Sequence, residues 1–458
     1  MSVPKLEEQL GIGVYASKTS GFNGVIKQSV DDFVVEEVLV DGSKAQIDNS
    51  TEKPALGATL AKQPYLLCVL VKRGWDTFIA VKNIAQQLCK SQNQIQIAGI
   101  KDGKALTAQY ITIEQASMAD TANVNVKDIE LRPAGYLREA LSTYYLLGNS
   151  FRIKIRNIRK SESDVKRQIA DTIQELEFAG GIPNFFGHQR FGTTRPITHL
   201  VGKALVRGDF REATMIFMAK PSSFEHPAST QVRRELEATQ DFKQALKDFP
   251  KQLRYERMML SHLVQKQDDF VGAFKRLPPK LQSLFVQAYQ SYLFNLFLTA
   301  RIKKGIPLSA AEIGDWVVGI ERSNLPMVNM AKIVSVGNFA DVSSLLKNGK
   351  MRVALPIVGR KPRLSQGTMA ETEKKILEAE GIRAEDFEIS SARSMGARGG
   401  LRTVVTPVRD FKLQSVTASV DNKKRCEAIL SFVLLRGCYA TVLLREIMKP
   451  HNPIESGF

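Results

Sequence analysis

QIQIAGIKDGKALTAQYITI (residues 94–113) sets two β-rich runs on either side of a charged, glycine-bearing segment. QIQIAGI reads as a short strand, and QYITI (109–113) as the strand that returns beside it. Between them Lys101-Asp102-Gly103 is most simply a hairpin turn, since Asp and Gly tolerate the backbone of a tight reversal. The surroundings add a chemical reading. Gly99 and Gly103 let the backbone approach a ligand closely, while Lys101 and Lys104 supply positive charge. Period-two alternation sends Thr107 and Gln109 to one face. Lysines beside a carboxylate favour its charged, nucleophilic form and also offer contacts to phosphate.

Upstream, VDDFVVEEVLVDG (30–42) is a β-rich run ending at Asp-Gly, and PYLLCVLVKRG (64–74) is a second strand. TFIAVKNIAQQLCKS (77–91) carries Ala80, Ile84 and Leu88 four residues apart, as on one face of a helix. Downstream, SFRIKIRNI (150–158) alternates Phe151, Ile153 and Ile155 with Arg152, Lys154 and Arg156. That pattern is a half-buried strand whose basic face is solvated or meets phosphates.

A helix follows, with Ser163 as its N-cap and Val165, Ile169, Ile173 and Leu176 as its apolar stripe. Gly180 and Gly181 stop it and Pro183 prevents its continuation, so the glycine pair marks the first domain boundary. Beyond it the chain is mainly helical to about residue 303. The strongest case is LPPKLQSLFVQAYQSYLFNLFLTARI (277–302), with Leu281, Leu284, Phe285, Ala288, Tyr292 and Leu296 at helical spacing. Strand-like pieces return in DWVVGI (315–320), AKIVSVG (331–337) and RVALPIVG (352–359), and residues 390–409 form a Gly/Arg-rich loop leading into another strand. AILSFVLLRGCYATVLLREIM (428–448) is apolar enough for a core. Arg436 and Gly437 break it well short of the roughly 20 apolar residues of a membrane span.

The length of 458 residues suggests roughly two or three domains. With 43% hydrophobic and 24% charged residues the chain is of the soluble globular kind. Its 64 Lys and Arg against 47 Asp and Glu give a formal +17, the electrostatic footprint of a nucleic-acid binder, although a merely basic protein shares it. Cys68, Cys89, Cys426 and Cys438 form no C-x-x-C pair, the five histidines form no H-E-x-x-H motif, and MSVPKLEEQLGIG lacks a signal-peptide layout. A reducing cytoplasm and a metal-free mechanism are therefore expected. The chain has no G-x-x-x-x-G-K-[ST], no strand followed by G-x-G-x-x-G and no G-x-S-x-G. These gaps argue against an ATPase, a Rossmann dehydrogenase and an α/β-hydrolase, and no organic cofactor is expected.

Several segments, in order, resemble the TruD family of tRNA pseudouridine synthases. AGIKDGKALTAQ (98–109) is similar to the family's G-x-K-D-x-x-A-x-T-x-Q element, in which the aspartate is the nucleophile. IKQSVDDFVVEE (26–37), GNSF (148–151), NFFGHQRFG (184–192) and SYLFN (291–295) resemble its other elements, and GCYATVLLRE (437–446) resembles its C-terminal one. The resemblance implies an α+β protein: a catalytic domain of the pseudouridine synthase fold on a mixed, mainly antiparallel sheet. An α/β TruD-specific domain would be inserted at 182–410, between catalytic parts at 1–181 and 411–458. It also implies isomerisation of uridine in tRNA, commonly uridine 13, by base flipping onto Asp102 in a basic cleft. Lys27 and Phe33 would lie beside Asp102, and Asn149 and Phe151 would hold the flipped base or its sugar. Tyr439 would stack on the base where the family commonly has phenylalanine, adding a hydroxyl to the pocket. Gln189, Arg190 and Phe191 are expected to brace the domain junction. The partner implied is tRNA, with no membrane and no obligate protein partner. The length of the insertion points to the archaeal or eukaryotic-type branch. A catalytically inactive RNA-binding protein or tRNA chaperone of the same fold is the alternative, set against by the intact Lys27, Asp102 and Asn149.

Overall fold

A computed structural model describes residues 2–48, 54–389, 395–419 and 424–458. After a short helix α1 (Lys5–Gln9), the first half builds β1 (Phe33–Leu39), β2 (Tyr65–Arg73), α2 (Thr77–Gln87), β3 (Ile95–Ile97), β4 (Leu106–Glu114), β5 (Ile129–Leu137), β6 (Leu146–Ile158) and α3 (Glu162–Phe178). Helices α4 (Thr198–Val206), α5 (Phe210–Ala219), α6 (Pro227–Thr239), α7 (Phe242–Asp248), α8 (Arg254–Gln265), α9 (Phe270–Lys275) and α10 (Pro279–Lys303) follow a two-residue strand β7 (Ile182–Pro183). Then come β8 (Trp316–Ile320), β9 (Pro326–Ile333), α11 (Phe339–Lys347), β10 (Met351–Ile357), α12 (Thr368–Glu380), β11 (Gly400–Thr403) and β12 (Val405–Thr406). The chain closes with β13 (Arg409–Ala418), β14 (Cys426–Leu435) and α13 (Ala440–Met448). The expected loop at 390–409 lies partly outside the described residues; from Gly400 onward it is already strand.

The large sheet runs in the order β13-β14-β6-β1-β4-β2-β5, with β3 also on β4. It is mixed and mainly antiparallel, as expected, and β1 beside β4 is its parallel pair. Alternation explains how both faces are covered. Leu66, Cys68 and Leu70 of β2 pack with Val81 and Ile84 of α2, whereas Leu67, Val69 and Val71 meet Val34, Ala108 and Tyr110. Phe33 and Val35 of β1 join Phe151, Ile153 and Ile155 of β6 against Val165, Ile169 and Leu176 of α3. Each of those α3 side chains contributes about 1.5–3 kcal/mol by leaving water.

The N-cap of α3 is Ser161, not Ser163. Ser161 keeps an extended backbone and its Oγ accepts the Asp164 N–H at 3.2 Å, while Glu162 fits the first turn of a helix that starts earlier than the serine pattern suggested. Gly181 follows the helix at φ +129°, and a Cβ there would lie 2.2 Å from the Thr406 carbonyl oxygen, so only glycine allows β7 to pair with β12. From this point the chain leaves the large sheet and rejoins it at Arg409. Between lie the helices and a second sheet of order β11-β10-β8-β9. In α10 the buried side is broader than the expected stripe. Phe285, Tyr289, Leu293, Phe294 and Phe297 are buried, and Leu284 is 37% exposed. The helix is enclosed by α4, α12 and β10, so a stripe drawn along one face catches its border.

Candidate active site

Residues 98–105 connect the antiparallel β3 and β4, so Lys101-Asp102-Gly103 sits within a broad connection and not at a two-residue turn. The loop needs its own support because it lacks a ladder of its own. Lys72, at the end of β2 and fully buried, donates from Nζ to the carbonyl oxygens of Trp75 at 2.7 Å, Asp102 at 2.9 Å and Lys101 at 3.5 Å. Burial pushes its ammonium down to about 8, against the attraction of Asp102 and Asp76. Thr77, the first residue of α2, donates its hydroxyl to the Lys101 carbonyl and accepts the Lys101 N–H, both at 3.1 Å. Gln109 Nε2 donates to the Gly99 carbonyl at 3.0 Å.

Lys101 does not present its charge to the loop surface. Its buried ammonium meets Glu37 Oε1 at 2.5 Å, and Glu37 Oε2 accepts the Tyr110 N–H at 2.9 Å. Burial raises the Glu37 carboxyl pKa in spite of both partners. Consecutive side chains of an extended loop diverge, so the lysine adjacent in sequence points inward while Asp102 points out. The cation that faces Asp102 is Lys27, with Nζ 3.4 Å from Oδ2; the Asp102 side chain is 41% exposed and that of Lys27 12%. Lys27 takes a left-handed φ of +59° and lays its ammonium 4.3 Å from the centroid of the Phe33 ring. Of the basic face of β6, Arg156 pairs with Asp32 and Glu427, and Lys154 with Glu427.

Two cavities meet at Asp102. The smaller, about 180 Å³, is lined by Phe33, Asp102, Asn149, Phe151, Gln189 and Tyr439. Phe33 sets its edge to Phe151 at 6.1 Å, and Phe151 stacks on Phe432 of β14 at 5.4 Å, so both rings belong to the core and show the cavity one side. Asn149 Oδ1 is buried without a partner among the described residues, an acceptor held ready for a donor. Tyr439 precedes α13, its ring edge-on to Phe186 at 6.2 Å. Phe186 is in turn covered by the Arg402 guanidinium at 4.1 Å. The larger cavity, about 570 Å³, is lined by Lys27, Asp102, Lys104, Gln189, Thr193 and Phe224, among others. Five of the six candidate residues thus line the smaller cavity, and Lys27 joins them through Asp102 from the larger one.

Gln189 differs from its expected bracing role: it lines both cavities, and its Oε1 accepts the Thr441 hydroxyl at 3.0 Å. Its neighbours do brace. Arg190 donates to Ser291 of α10, and Phe191 is fully buried. Lys72 carried no signal in the sequence, where it is one residue of the strand run 64–74. Among the described residues no group of three or more His, Cys, Asp or Glu side chains stands ready to hold a metal ion, and no helix is long and apolar enough to cross a membrane.

The family model described as tRNA pseudouridine synthase D (TruD) matches residues 9–447. The chain belongs to the TruD family. It is 36% identical over 455 residues to the probable tRNA pseudouridine synthase D of Methanosarcina mazei, covering 99% of this chain and 100% of that one. The probable tRNA pseudouridine synthase D of Pyrococcus abyssi is 33% identical over 435 residues, covering 95% and 98%. A crystal structure of the putative TruD from Methanosarcina mazei superposes with a TM-score of 0.83 at 35% identity, covering 99% of this chain and 100% of that chain. These TruD relatives are archaeal, in keeping with the branch expected from length. The TruD assignment also supplies the enzyme class, a pseudouridine synthase.

Proposed function

We propose that this chain isomerises uridine to pseudouridine in tRNA, at uridine 13, with Asp102 as nucleophile. The observation that carries the reading is the small cavity in which Asp102, Asn149 and three aromatic rings converge. At about 180 Å³ it lies below the roughly 300–1,000 Å³ of drug-sized pockets and suits one planar base. The target base leaves the RNA stack, costing a few kcal/mol, and is received by Phe33, Phe151 and Tyr439. Asp102 attacks and bonds transiently, the bond from the sugar C1′ to N1 breaks, and the uracil turns. As C1′ bonds to C5, the bond to Asp102 breaks and restores the carboxylate. The C5 proton leaves and N1 takes one up, so substrate and product have the same atoms. Lys27 opposes the charge of Asp102, and the free Asn149 oxygen accepts from an N–H of the turning uracil.

Residues 182–410 act in this reading as a domain inserted between catalytic parts at 1–181 and 411–458, and tRNA lies in a basic cleft entered past Lys27 and Lys104. The four free cysteines suit a reducing cytoplasm. The test is pseudouridine formation in a tRNA transcript by the whole chain and by Asp102→Asn, which keeps the shape and removes the charge. The wild type converts one uridine, and the variant is slower by about 10⁴-fold or more. An Asp102→Asn protein of undiminished activity ends the assignment of the nucleophile. A wild type that binds tRNA with steep salt dependence but leaves uridine unchanged is the inactive RNA-binding protein instead.

A further inference from the structure

The larger cavity beside Asp102 has a lining that uracil isomerisation does not use. Phe224, in the loop between α5 and α6, is 43% exposed in a wall that is otherwise largely polar, where the second phenylalanine, Phe458, is buried. An exposed phenylalanine in a polar cleft carries a hydration cost unless something covers its ring.

The two segments that form this wall are rigidly built. Ser222 Oγ donates to the Thr194 carbonyl at 2.7 Å, tying the Phe224 loop to the turn that carries Thr193 and Thr194. That turn starts at Gly192, φ +99°, where a Cβ would lie 2.3 Å from the Arg195 carbonyl oxygen. Arg195 Nη2 then donates to the carbonyls of Phe217 at 2.8 Å and Lys220 at 2.9 Å. Beneath the wall, buried Arg233 binds Glu225 at 2.9 Å and Glu256 at 2.7 Å, and Arg195 approaches the same two carboxylates at 3.6 and 3.7 Å. Glu225 follows Phe224 directly in the chain, so the charge cluster fixes the base of the loop that holds the ring. Across the cavity Lys104 is exposed, and no ion pair engages it among the described residues. The two cavities adjoin, since Asp102 and Gln189 line both.

We propose that the larger cavity is the seat of the nucleotide flanking the target uridine, its base stacked on Phe224 and its phosphate against Lys104. The proposal rests on the function given above and names a second RNA subsite for it. A π-face accepts any base, so the seat grips RNA without reading sequence. It also holds the strand on one side of the flipped uridine, so that the neighbouring base keeps a stacking partner after its own neighbour has left.

The experiment measures tRNA affinity and, separately, release of tritium from transcript labelled at uridine C5. Phe224→Ala weakens tRNA binding about tenfold, with kcat within about twofold of wild type, and Phe224→Trp restores the affinity. Phe224→Leu keeps apolar bulk without the π-face and stays as weak as the alanine variant. Lys104→Met lowers the slope of log affinity against log salt by about one. Affinity of Phe224→Ala within about twofold of wild type overturns the subsite while leaving wild-type activity, and so the proposed function, standing. Absence of tritium release from the wild type refutes the function, and the affinities alone still decide whether Phe224 holds RNA.

Discussion

On the sheet side of Asp102 the loop 98–105 hangs on ammonium groups, and on the helical side the turn at 192–195 and the loop at 220–226 hang on guanidinium groups. Lys72 gathers three carbonyls of the first region from a single buried point, and Lys101 anchors it to Glu37. Arg195 and Arg233 instead share two carboxylates and reach four backbone carbonyls, those of Ile216, Phe217, Met218 and Lys220. An ammonium can turn its donors toward carbonyls from several directions and loses its charge readily when buried, whereas a guanidinium offers a fixed planar fork and keeps its charge. Burial brings Lys72 from 10.5 down to about 8, and burial with the neighbouring Arg233 brings Arg195 from 12.5 to about 10. The two fall alike, and the ammonium, starting lower, is the one that comes near neutral pH. The loop that carries Asp102 is therefore the one whose support titrates near neutral pH, and the wall beside it is not.

The largest effect expected from this difference is on the guanidinium side. Arg233→Met removes the cation that bonds both Glu225 and Glu256 and leaves them to Arg195, which stands farther off. Stripping one partner from a buried ion cluster costs about 3–5 kcal/mol. Denaturant or thermal unfolding should show that loss, with tRNA affinity falling as the Phe224 loop loosens. A loss below about 1 kcal/mol would mean that the cluster is not what holds the wall, and the contrast would fail on that side.

The legibility of these two regions in the sequence differs for the same physical reasons. Phe151 was found by alternation, because a strand with one buried face repeats every two residues whatever covers it. Phe33, Asp102, Asn149 and Tyr439 came from ordered motif words, and the fold brought them together from β1, the loop 98–105, β6 and the start of α13. Lys72 was invisible because its burial depends on a loop thirty residues later folding over it. Lys101 differed from expectation because Glu37, on another strand, captures it. Gln189 was assigned to bracing with its neighbours, yet Thr441 turns it toward the cavities. In each case a partner distant in the chain decides where the side chain goes, and no local pattern encodes that partner.

A smaller effect is expected from Lys72→Met, which keeps the length of the side chain and removes its donors. The carbonyls of Trp75, Lys101 and Asp102 lose their shared partner, and a shift of about 1 Å in a reacting group lowers rate by about 100-fold. The expected result is kcat reduced about 10- to 100-fold with KM within about threefold. The pH dependence carries the sharper comparison. Folded Lys72 titrates at about 8, below its ordinary 10.5, so between those values the unfolded chain holds a proton that the folded chain has released. This residue's contribution to stability therefore rises with pH across that window, because the penalty for burying its charge is present below about 8 and is relieved above it. Activity moves the other way, falling above about pH 8 as the carbonyls lose a charged donor. Lys72→Met should flatten both limbs. A wild-type profile level from pH 7 to 10 would remove the ammonium from the account of the loop.

The smallest effect tests where Tyr439 belongs. It lines the small cavity with the sheet residues, but its ring leans on Phe186, and Phe186 is covered by Arg402, which also bonds Asn184 and the Gly437 carbonyl. Its support is thus of the guanidinium kind, acting through ring faces. Burial raises the pKa of its hydroxyl, so the group stays protonated through the neutral range. If the ring alone serves the uracil, Tyr439→Phe keeps the stacking surface and lowers kcat by less than about threefold, while Tyr439→Ala loses the roughly 1–3 kcal/mol of a base stacked on an aromatic ring. A loss of 100-fold or more in Tyr439→Phe would give the hydroxyl a part in moving the proton from C5, and would place on the helical side of the cavity a chemical role now assigned wholly to the loop that carries Asp102.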